Sequence, residues 1–513
     1  MPARSGRVLC DARDVPVIDD DPNGGLVAAV THIMTCCQPY LFTAWSRLIA
    51  AVLALGLVPF ATIAASREPA TAGAPTVAEK YVLDQVAAGK VADLSTTFPE
   101  EEARVIRGVF LEELLSGSRK DYIIHRNGVL IEGAIVRDLI DLRNAEIIHD
   151  TQLVRCRFDR GANFSRSIFA EGLSLVESSF QDAVNFSEMK VSRGFNLHNA
   201  VFNGSANLEQ LEVTGVLQAG GVTFADKIHT ANFNNLKAGS AVCFTNAVFT
   251  GAASFNNGRI LGDLRFDDAR FSHPTALANF EGLKVEGSTF FSQTLFAGYA
   301  SLKDSRFNAL DLTEVRWPKR DYGEWLWLNG VRYQRISAGA DRSSWSNLFA
   351  LVDHAAHRSA YSSDIYSSLA EFYRREGYPR EANQFLIAQK RRERDEVLKG
   401  MEWSWSFFLD WFVGYGRSPG RALVWSILIV SAGMLVFRPH RMEPRTTNLK
   451  TDCYSPFWYS VDLFLPLIKL QDADLWKPRD NFRFARFWSR LHTMLGWALI
   501  PIALAAWTGM LGQ

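Results

Sequence analysis

The middle of the chain repeats one hydrophobic pattern with a period of about 22 residues. Starting at Phe158, each step of 22 or 25 residues reaches another phenylalanine, and the longer step equals the shorter one with three inserted residues. The members of this column are Phe158, Phe180, Phe202, Phe224, Phe249, Phe271 and Phe296. We expect these rings to stack on one another inside the fold.

Three further apolar columns run beside the phenylalanines, and they begin at Leu142, Ile147 and Leu153. Within one repeat, neighbouring columns are separated by 5 or 6 residues. That spacing fits neither a helix of period 3.6 nor a flat strand of period 2. Four inward residues per turn predict a four-sided β-solenoid, with a short strand on each side and a turn at each corner. About eight coils, each about 4.8 Å above the last, would form a rod of roughly 35 to 40 Å.

The residues around the columns resemble a known family. The motifs ANFSRSIF (162–169), ANLEQLEV (206–213) and ANFNNLKA (231–238) are similar to those of pentapeptide-repeat proteins, whose fold is a right-handed quadrilateral β-helix. The 22-residue coil departs from the 20-residue coil of that family. The resemblance and the columns together predict a mainly β fold: a right-handed quadrilateral β-helix of about eight coils of 22–25 residues, with a helical N-terminal cap and a C-terminal α-helical membrane module.

The resemblance also covers the flanking segments, from about residue 78 to residue 513. The order of a cap, repeats, WLWLNGVRYQRI (325–336), VGYGRSPGRALVW (413–425) and SPFWYSVDLFLPLI (455–468) is similar to that of bacterial pentapeptide-repeat membrane proteins. Some members of that group are labelled membrane-associated oxidoreductases. This sequence contains no cofactor motif to support that activity.

The predicted domains follow the composition of the chain. They are a leader (1–66), a helical cap (67–130), the solenoid (131–315), a Trp/Tyr-rich connector (316–365), a helical hairpin (366–400) and a membrane module (401–513). In the cap, PEEEARVIRGVFLEELLSG (99–117) has the pattern of an amphipathic helix, and we expect it to cover the open strand edges of the first coil.

Three segments have the composition of membrane contacts. Residues 46–66 predict a signal peptide or an uncleaved anchor, and Met34 is a second candidate start of the chain. Apolar runs predict spans near 420–438 and 488–510. Between them, 455–468 is too short to span and predicts a helix lying in the interface.

Charge predicts the orientation of this module. The segment from Arg438 to Arg490 carries ten Lys and Arg residues, which favours a cytoplasmic location and therefore an exported, periplasmic or extracytoplasmic solenoid on a membrane protein. The basic run KRRER (390–394) would then lie outside, against the rule. No DNA-binding pattern accompanies the basic residues, so nucleic acid is not a predicted partner.

Two features of the membrane module are candidates for function. The string VGYG (413–416) is that of a potassium-channel filter, but it precedes the first C-terminal span instead of lying between two spans, so we interpret it as a turn. Asp462 is the candidate functional residue, because a carboxylate within an apolar membrane segment is costly unless it faces water, a cation or a partner.

The sequence favours a membrane-tethered scaffold or interaction protein without an evident catalytic site. The predicted partners are the membrane and either another protein or a second copy of the chain, and neither a cofactor, a metal site nor a small-molecule substrate is predicted. One alternative is an oligomeric pore or sensor built from the C-terminal spans. The other is the membrane-associated oxidoreductase, which rests on the resemblance alone.

Overall fold

A computed structural model describes residues 74–318, 325–339, 344–356, 362–445, 454–465 and 472–507. The chain divides into two units, Met1–Gly73 and Ala74–Gln513. The predicted leader, with its candidate signal peptide at 46–66, lies outside the described residues and stays a prediction.

The centre of the second unit is a parallel β-solenoid of nine coils, which confirms the β-solenoid predicted from the columns. Two of its four sides are nine-stranded parallel sheets, and a seventeen-stranded sheet forms the other two. Each strand pairs with the strand one coil away, so that Phe180 lies in register between Phe158 and Phe202.

The strands of the first side carry the phenylalanine column. They are Val105–Ile106, Ile135–Val136, Arg157–Phe158, Ser179–Phe180, Val201–Phe202, Thr223–Phe224, Val248–Phe249, Arg270–Phe271 and Leu295–Phe296. The strands of the second side are Ile140–Asp141, Ala162–Asn163, Val184–Asn185, Ala206–Asn207, Ala231–Asn232, Ala253–Ser254, Leu277–Asn279, Tyr299–Ser301 and Leu326–Trp327.

The two remaining sides merge at the C-terminal end of the solenoid. The third side has Glu146–Ile147, Ile168–Phe169, Lys190–Val191, Glu212–Val213, Lys237–Ala238 and Arg259–Ile260. The fourth has Ala92–Asp93, Val129–Glu132, Thr151–Val154, Leu173–Ser174, Phe195–Asn196, Leu217–Gln218, Val242–Cys243 and Leu264–Arg265. The last three coils have one long strand in place of the two short ones: Lys284–Phe290, Arg306–Asp311 and Arg332–Ser337.

The solenoid is longer than the eight coils predicted over 131–315. Leu326–Trp327 and Arg332–Ser337 belong to it, although the sequence assigned them to the connector. The phenylalanine column ends here because a different apolar residue occupies the next position of the stack. Phe296 stacks on Trp317 at 5.1 Å.

The phenylalanine column is a continuous stack. Consecutive ring centroids are 4.7 to 5.1 Å apart and the planes differ by 3 to 10°. Rings of the neighbouring columns meet these edge-on, as Phe186 does with Phe180 at 6.3 Å. Such pairs add to the stabilisation from burial, by about 0.5 to 1.5 kcal/mol each.

Two corners of every regular coil use a left-handed residue. One corner column consists of Asn144, Arg166, Glu188, Gln210, Asn235, Asn257, Gly282, Asp304 and Gly330, all with positive φ. Asn, Asp and Gly tolerate this conformation best, which explains the excess of these residues between the apolar columns.

The N-terminal cap mixes helices with strands. Its elements are α1 (Val77–Ala87), α2 (Leu94–Thr97), a 3₁₀ turn (Glu101–Arg104) and α3 (Gly108–Ser116). The single amphipathic helix predicted for 99–117 is wrong, because Val105–Ile106 forms a strand that pairs with Ile135–Val136. The cap thus closes the first coil partly by extending its sheet and partly by packing α3 against it.

Helices follow the last coil. They are α4 (Ser344–Ala356), α5 (Asp364–Arg375), α6 (Pro379–Glu396), α7 (Gly400–Val413), α8 (Pro419–Val436), α9 (Pro456–Phe464), α10 (Asp472–Leu475) and α11 (Arg483–Trp507). A 3₁₀ turn (Pro439–Arg441) and a two-stranded antiparallel pair (Met442–Pro444 and Trp476–Pro478) lie among them. One hydrophobic core extends from Ala78 in α1 through the solenoid to Phe385 in α6.

The spans predicted near 420–438 and 488–510 coincide with α8 and α11, and the predicted interfacial segment contains α9. Among the described residues, no helix is both long enough and apolar enough to cross a membrane.

Candidate functional site

The string VGYG forms the turn that joins α7 to α8. Gly414, Tyr415 and Gly416 all have positive φ, and the amides of Gly414 and Tyr415 donate to the carbonyl groups of Asp410 and Leu409. Pro419 then begins α8. The interpretation of VGYG as a turn between two helices is therefore confirmed.

Asp410, near the end of α7, holds this turn to α6. Its carboxylate accepts hydrogen bonds from Arg391 (Nε, 2.8 Å) and Arg394 (Nη1, 3.1 Å), and Arg421 of α8 lies 3.4 Å away. Burial alone raises the pKa of Asp410, but hydrogen bonds and positive charge from Arg391 and Arg394 outweigh it and hold the pKa below its usual value.

The KRRER run therefore acts within the molecule. Lys390 pairs with Glu393 at 2.7 Å and Arg392 with Glu396 at 2.7 Å, while Arg391 and Arg394 bind Asp410. All four of its cations have an acidic partner in the same chain, which leaves this run little free charge for an external ligand.

Three helices of the C-terminal module pack very closely. Gly433 of α8 faces Ser460 of α9, and a Cβ atom at Gly433 would lie 2.1 Å from the Ser460 hydroxyl oxygen. His492 of α11 is fully buried at the same place, with Nε2 3.0 Å from the Ser460 carbonyl oxygen and 3.2 Å from its hydroxyl oxygen. The hydroxyl itself donates to the Val430 carbonyl at 2.9 Å.

This serine and histidine pair fits a structural role better than catalysis. Both side chains are buried, and the serine hydroxyl is already donating to a backbone carbonyl, so it is not presented to a substrate. Among the described residues, Nδ1 of His492 has no hydrogen-bond partner. The sequence gives no motif for this contact, because the two residues are far apart in the chain.

Asp462, the candidate functional residue, lies on α9 two positions after Ser460. Two positions correspond to about 200° around a helix, so Asp462 is on a different face from the buried pair. Its side chain is partly exposed. The structure does not bring it into the Ser460–His492 contact, and its functional role stays a prediction.

The helices of this module expose many large apolar side chains. On α7, Trp405 and Trp411 are 58% and 54% exposed, and Trp497 on α11 is 59% exposed. On α8 the exposed large apolar residues lie along one strip: Leu423, Val424, Ile427, Leu428, Met434 and Leu435. Exposed apolar surface on this scale marks a contact with lipid or with another protein.

A ladder of asparagines, which was not predicted from the sequence, runs along the second side of the solenoid. Asn232 donates to Asn207 at 3.0 Å, and Asn207 donates to Asn185 at 3.5 Å. Each side-chain oxygen also accepts from the backbone amide two residues on, as Ser187 donates to Asn185 at 3.0 Å. The asparagine of the recurring Ala-Asn pair could have predicted this ladder from the sequence. Its role is structural, because the side-chain hydrogen bonds fix the turn that follows the strand.

Neither a metal site nor a similarity to known proteins identifies a function for this chain. In the part of the chain that the structure describes, no group of three His, Cys, Asp or Glu side chains is arranged to hold a metal ion. No family model, curated protein or solved structure matches this chain.

Proposed function

We propose that this chain is a membrane-attached scaffold. In this proposal, the C-terminal helices bind lipid, and the solenoid is held at the membrane as a platform for a protein partner. The proposal includes the pentapeptide-repeat resemblance, the right-handed coil and the export of the solenoid that the sequence predicts.

The observation that carries the proposal is the distribution of exposed apolar side chains. Most of those among the described residues belong to the helices after residue 396, although these helices make up less of the described chain than the solenoid does. Tryptophan is prominent in this set and is the residue that favours the boundary between water and lipid. A lipid surface would cover this apolar area.

The solenoid supports the scaffold half of the proposal. Its interior is filled by stacked side chains, so a partner has to bind on an outer face. Both ends are covered, by the cap at one end and by α4 and α5 at the other. The four long faces are therefore the surfaces left for partners.

Vesicle flotation tests the lipid contact. The variant Leu423→Gln/Ile427→Gln/Leu435→Gln places amides on the exposed strip of α8, and we expect its partition into phosphatidylcholine vesicles to fall at least tenfold. That estimate assumes that each substitution lowers the free energy gained on transfer of the side chain into lipid by about 1 kcal/mol or more.

The control makes three comparable changes on exposed apolar residues before the C-terminal helices: Ile123→Gln/Ile148→Gln/Ile228→Gln. We expect its flotation to stay within about twofold of the wild type, because these residues do not lie on the proposed lipid contact. A wild-type chain that remains at the bottom of the gradient would contradict the proposal. So would equal flotation of the wild type and the α8 variant.

A further inference from the structure

One outer face of the solenoid carries a single file of basic residues. Lys237, Arg259, Lys284, Arg306 and Arg332 occupy the same position in five successive coils, and each is in register with the next. All five are exposed. With about 4.8 Å per coil, the file is about 19 Å long. We call these five residues the basic column.

Most of the column has no acidic partner. Arg259 pairs with Glu286 at 2.9 Å, whereas the other four cations form no ion pair with any residue that the structure describes. In the coil before Lys237, the same position holds Glu212, which pairs with Lys190 at 3.8 Å and so ends the column.

The column is unusual for this solenoid. Residues 131–337, which include the last coil, carry 21 Lys and Arg against 23 Asp and Glu, so the solenoid as a whole has almost no net charge. Elsewhere its cations are often neutralised at close range, as Arg265 is by Asp267 at 2.8 Å and Arg193 by Glu171 at 2.6 Å. Four unpaired cations in a line are an uncompensated positive charge, which favours an anionic ligand.

The charge is concentrated in one file, with the exposed Arg335 beside its last member, Arg332. In the same coils, the second side carries uncharged residues at its equivalent strand position, among them Asn232, Ser254 and Asn279. The fourth side is mixed, with Cys243 and Arg265. A flat anionic surface would be met by cations spread across a face, whereas a single file matches a ligand that is itself a single chain.

A groove lies beside the last coils of the column, between the long strands and α5. It has a volume of about 390 Å³, and its lining combines the apolar Phe290, Ile336 and Phe372 with the charged Arg335, Asp311 and Glu376. The hydroxyl oxygen of Thr289, which also lines it, is buried and has no hydrogen-bond partner among the described residues. Because that oxygen is buried, a side chain bound in the groove would contact the apolar residues of the lining instead, as a side chain of a polypeptide could.

We propose that the basic column binds an extended, acidic segment of a protein partner, with an apolar side chain of that segment in the adjacent groove. This inference rests on the proposed scaffold function and names the chemistry of its partner. Acidic side chains of the segment meet the four unpaired cations along the solenoid axis, and the apolar side chain fixes its register.

Binding of two labelled peptides tests the proposal. The first is a fluorescein-labelled twelve-residue peptide of alternating Glu and Ser, and the second is the same peptide with a terminal Phe. The full chain is titrated against each one at low salt, with the matching Gln and Ser peptide as the uncharged reference. We expect the acidic peptides to bind, the Phe to tighten binding, and added salt to weaken it.

The decisive variant is Lys237→Gln/Lys284→Gln/Arg306→Gln/Arg332→Gln, which removes the unpaired cations of the column. Its affinity for the acidic peptides should fall about tenfold to a hundredfold, since four exposed charge contacts are lost. The control Arg160→Gln/Lys227→Gln/Arg270→Gln/Lys303→Gln removes four exposed cations from elsewhere on the same solenoid and changes the net charge equally. It should bind within about twofold of the wild type.

Three results would overturn the proposal: equal loss in the two variants, no loss in the column variant, or no binding of the acidic peptides. If the column variant instead loses only its binding to vesicles that contain phosphatidylglycerol, the column contacts lipid and the protein-partner proposal is wrong.

Flotation with phosphatidylcholine vesicles distinguishes the column proposal from the lipid-attachment proposal, because the column variant should float like the wild type. A wild type that binds the peptides but does not float would contradict the lipid attachment alone.

Discussion

Glu79 forms a 2.7 Å ion pair with Arg107, and the side chain of Glu79 is fully buried. The same carboxylate accepts hydrogen bonds from the backbone amides of Thr76 at 2.8 Å and Arg107 at 3.0 Å. One side chain therefore joins the start of α1 to the start of α3. These are the two helices that cover the first coil.

We expect Glu79→Gln to destabilise the cap by about 2 to 3 kcal/mol, because it removes the buried carboxylate charge that pairs with the Arg107 guanidinium. This figure lies below the about 3 to 5 kcal/mol of fully buried pairs, since Arg107 is 35% exposed. Urea unfolding followed by circular dichroism measures the change. Glu102→Gln removes the exposed partner of Arg137 and should leave the midpoint unchanged.

The contribution of Glu79 should also depend on pH. Burial by itself raises the pKa of Glu79, but hydrogen bonds from Arg107 and Thr76 and the charge of Arg107 outweigh it, so the pKa lies below its ordinary value of 4.5. A carboxylate with a lowered pKa in the folded state contributes stability above pH 4.5, and that contribution is lost as the pH falls through the folded-state pKa. The difference in unfolding free energy between wild type and Glu79→Gln should therefore shrink below about pH 4.5. A difference that is constant from pH 7 to pH 3 would contradict this origin.

Shortening one ring of the phenylalanine column should be costly. Phe202 is fully buried and stacks at 5.0 Å on both Phe180 and Phe224. We expect Phe202→Ala to lower the free energy of unfolding by about 3 to 5 kcal/mol, through lost burial and the cavity left behind. Ile168→Ala changes an outward side chain that is 42% exposed and should cost about 0.5 kcal/mol or less. Similar losses from the two variants would mean that the stack is not the main source of stability.

Steric strain at the left-handed corners can be tested by a substitution that should relieve it at one corner. Gln210 has a φ of 55° in a column otherwise rich in Asn and Gly, so Gln210→Gly removes a steric penalty there. We expect a gain of about 0.5 to 1 kcal/mol after the entropy that glycine costs in the unfolded state. In the other corner column, Gly221→Ala should destabilise the chain, because its Cβ atom would lie 2.1 Å from the side-chain oxygen of Asn199. A loss of stability in Gln210→Gly would show that the corner is not strained.

The interior of the solenoid was predictable because burial imposes a period. Each inward position requires an apolar residue, so columns such as the one containing Phe158 appear directly in the sequence. The outermost coils were missed because Trp317, Leu326 and Ile336 fill them without repeating that pattern. The helical cap was predicted correctly, but the single helix over 99–117 was wrong, because Val105 and Ile106 suit a helical face and a strand equally well.

The outer face was harder to interpret because exposed positions have no required residue type. Lys237, Arg259, Lys284 and Arg306 each stand one residue before a member of the apolar column that begins at Ile147, so their alignment was present in the sequence. Only the register of the coils shows that they form one line. The Ser460–His492 contact joins helices whose order along the chain says nothing about their packing.

The closed ends of the solenoid determine how the molecule can vary in length. Open strand edges would let one rod add to the next and grow into a fibre, but α1–α3 and α4–α5 cover both ends. A longer or shorter rod therefore requires gain or loss of a whole internal coil. Each such change would move the two caps apart or together by about 4.8 Å, so the number of coils sets the distance between the two caps.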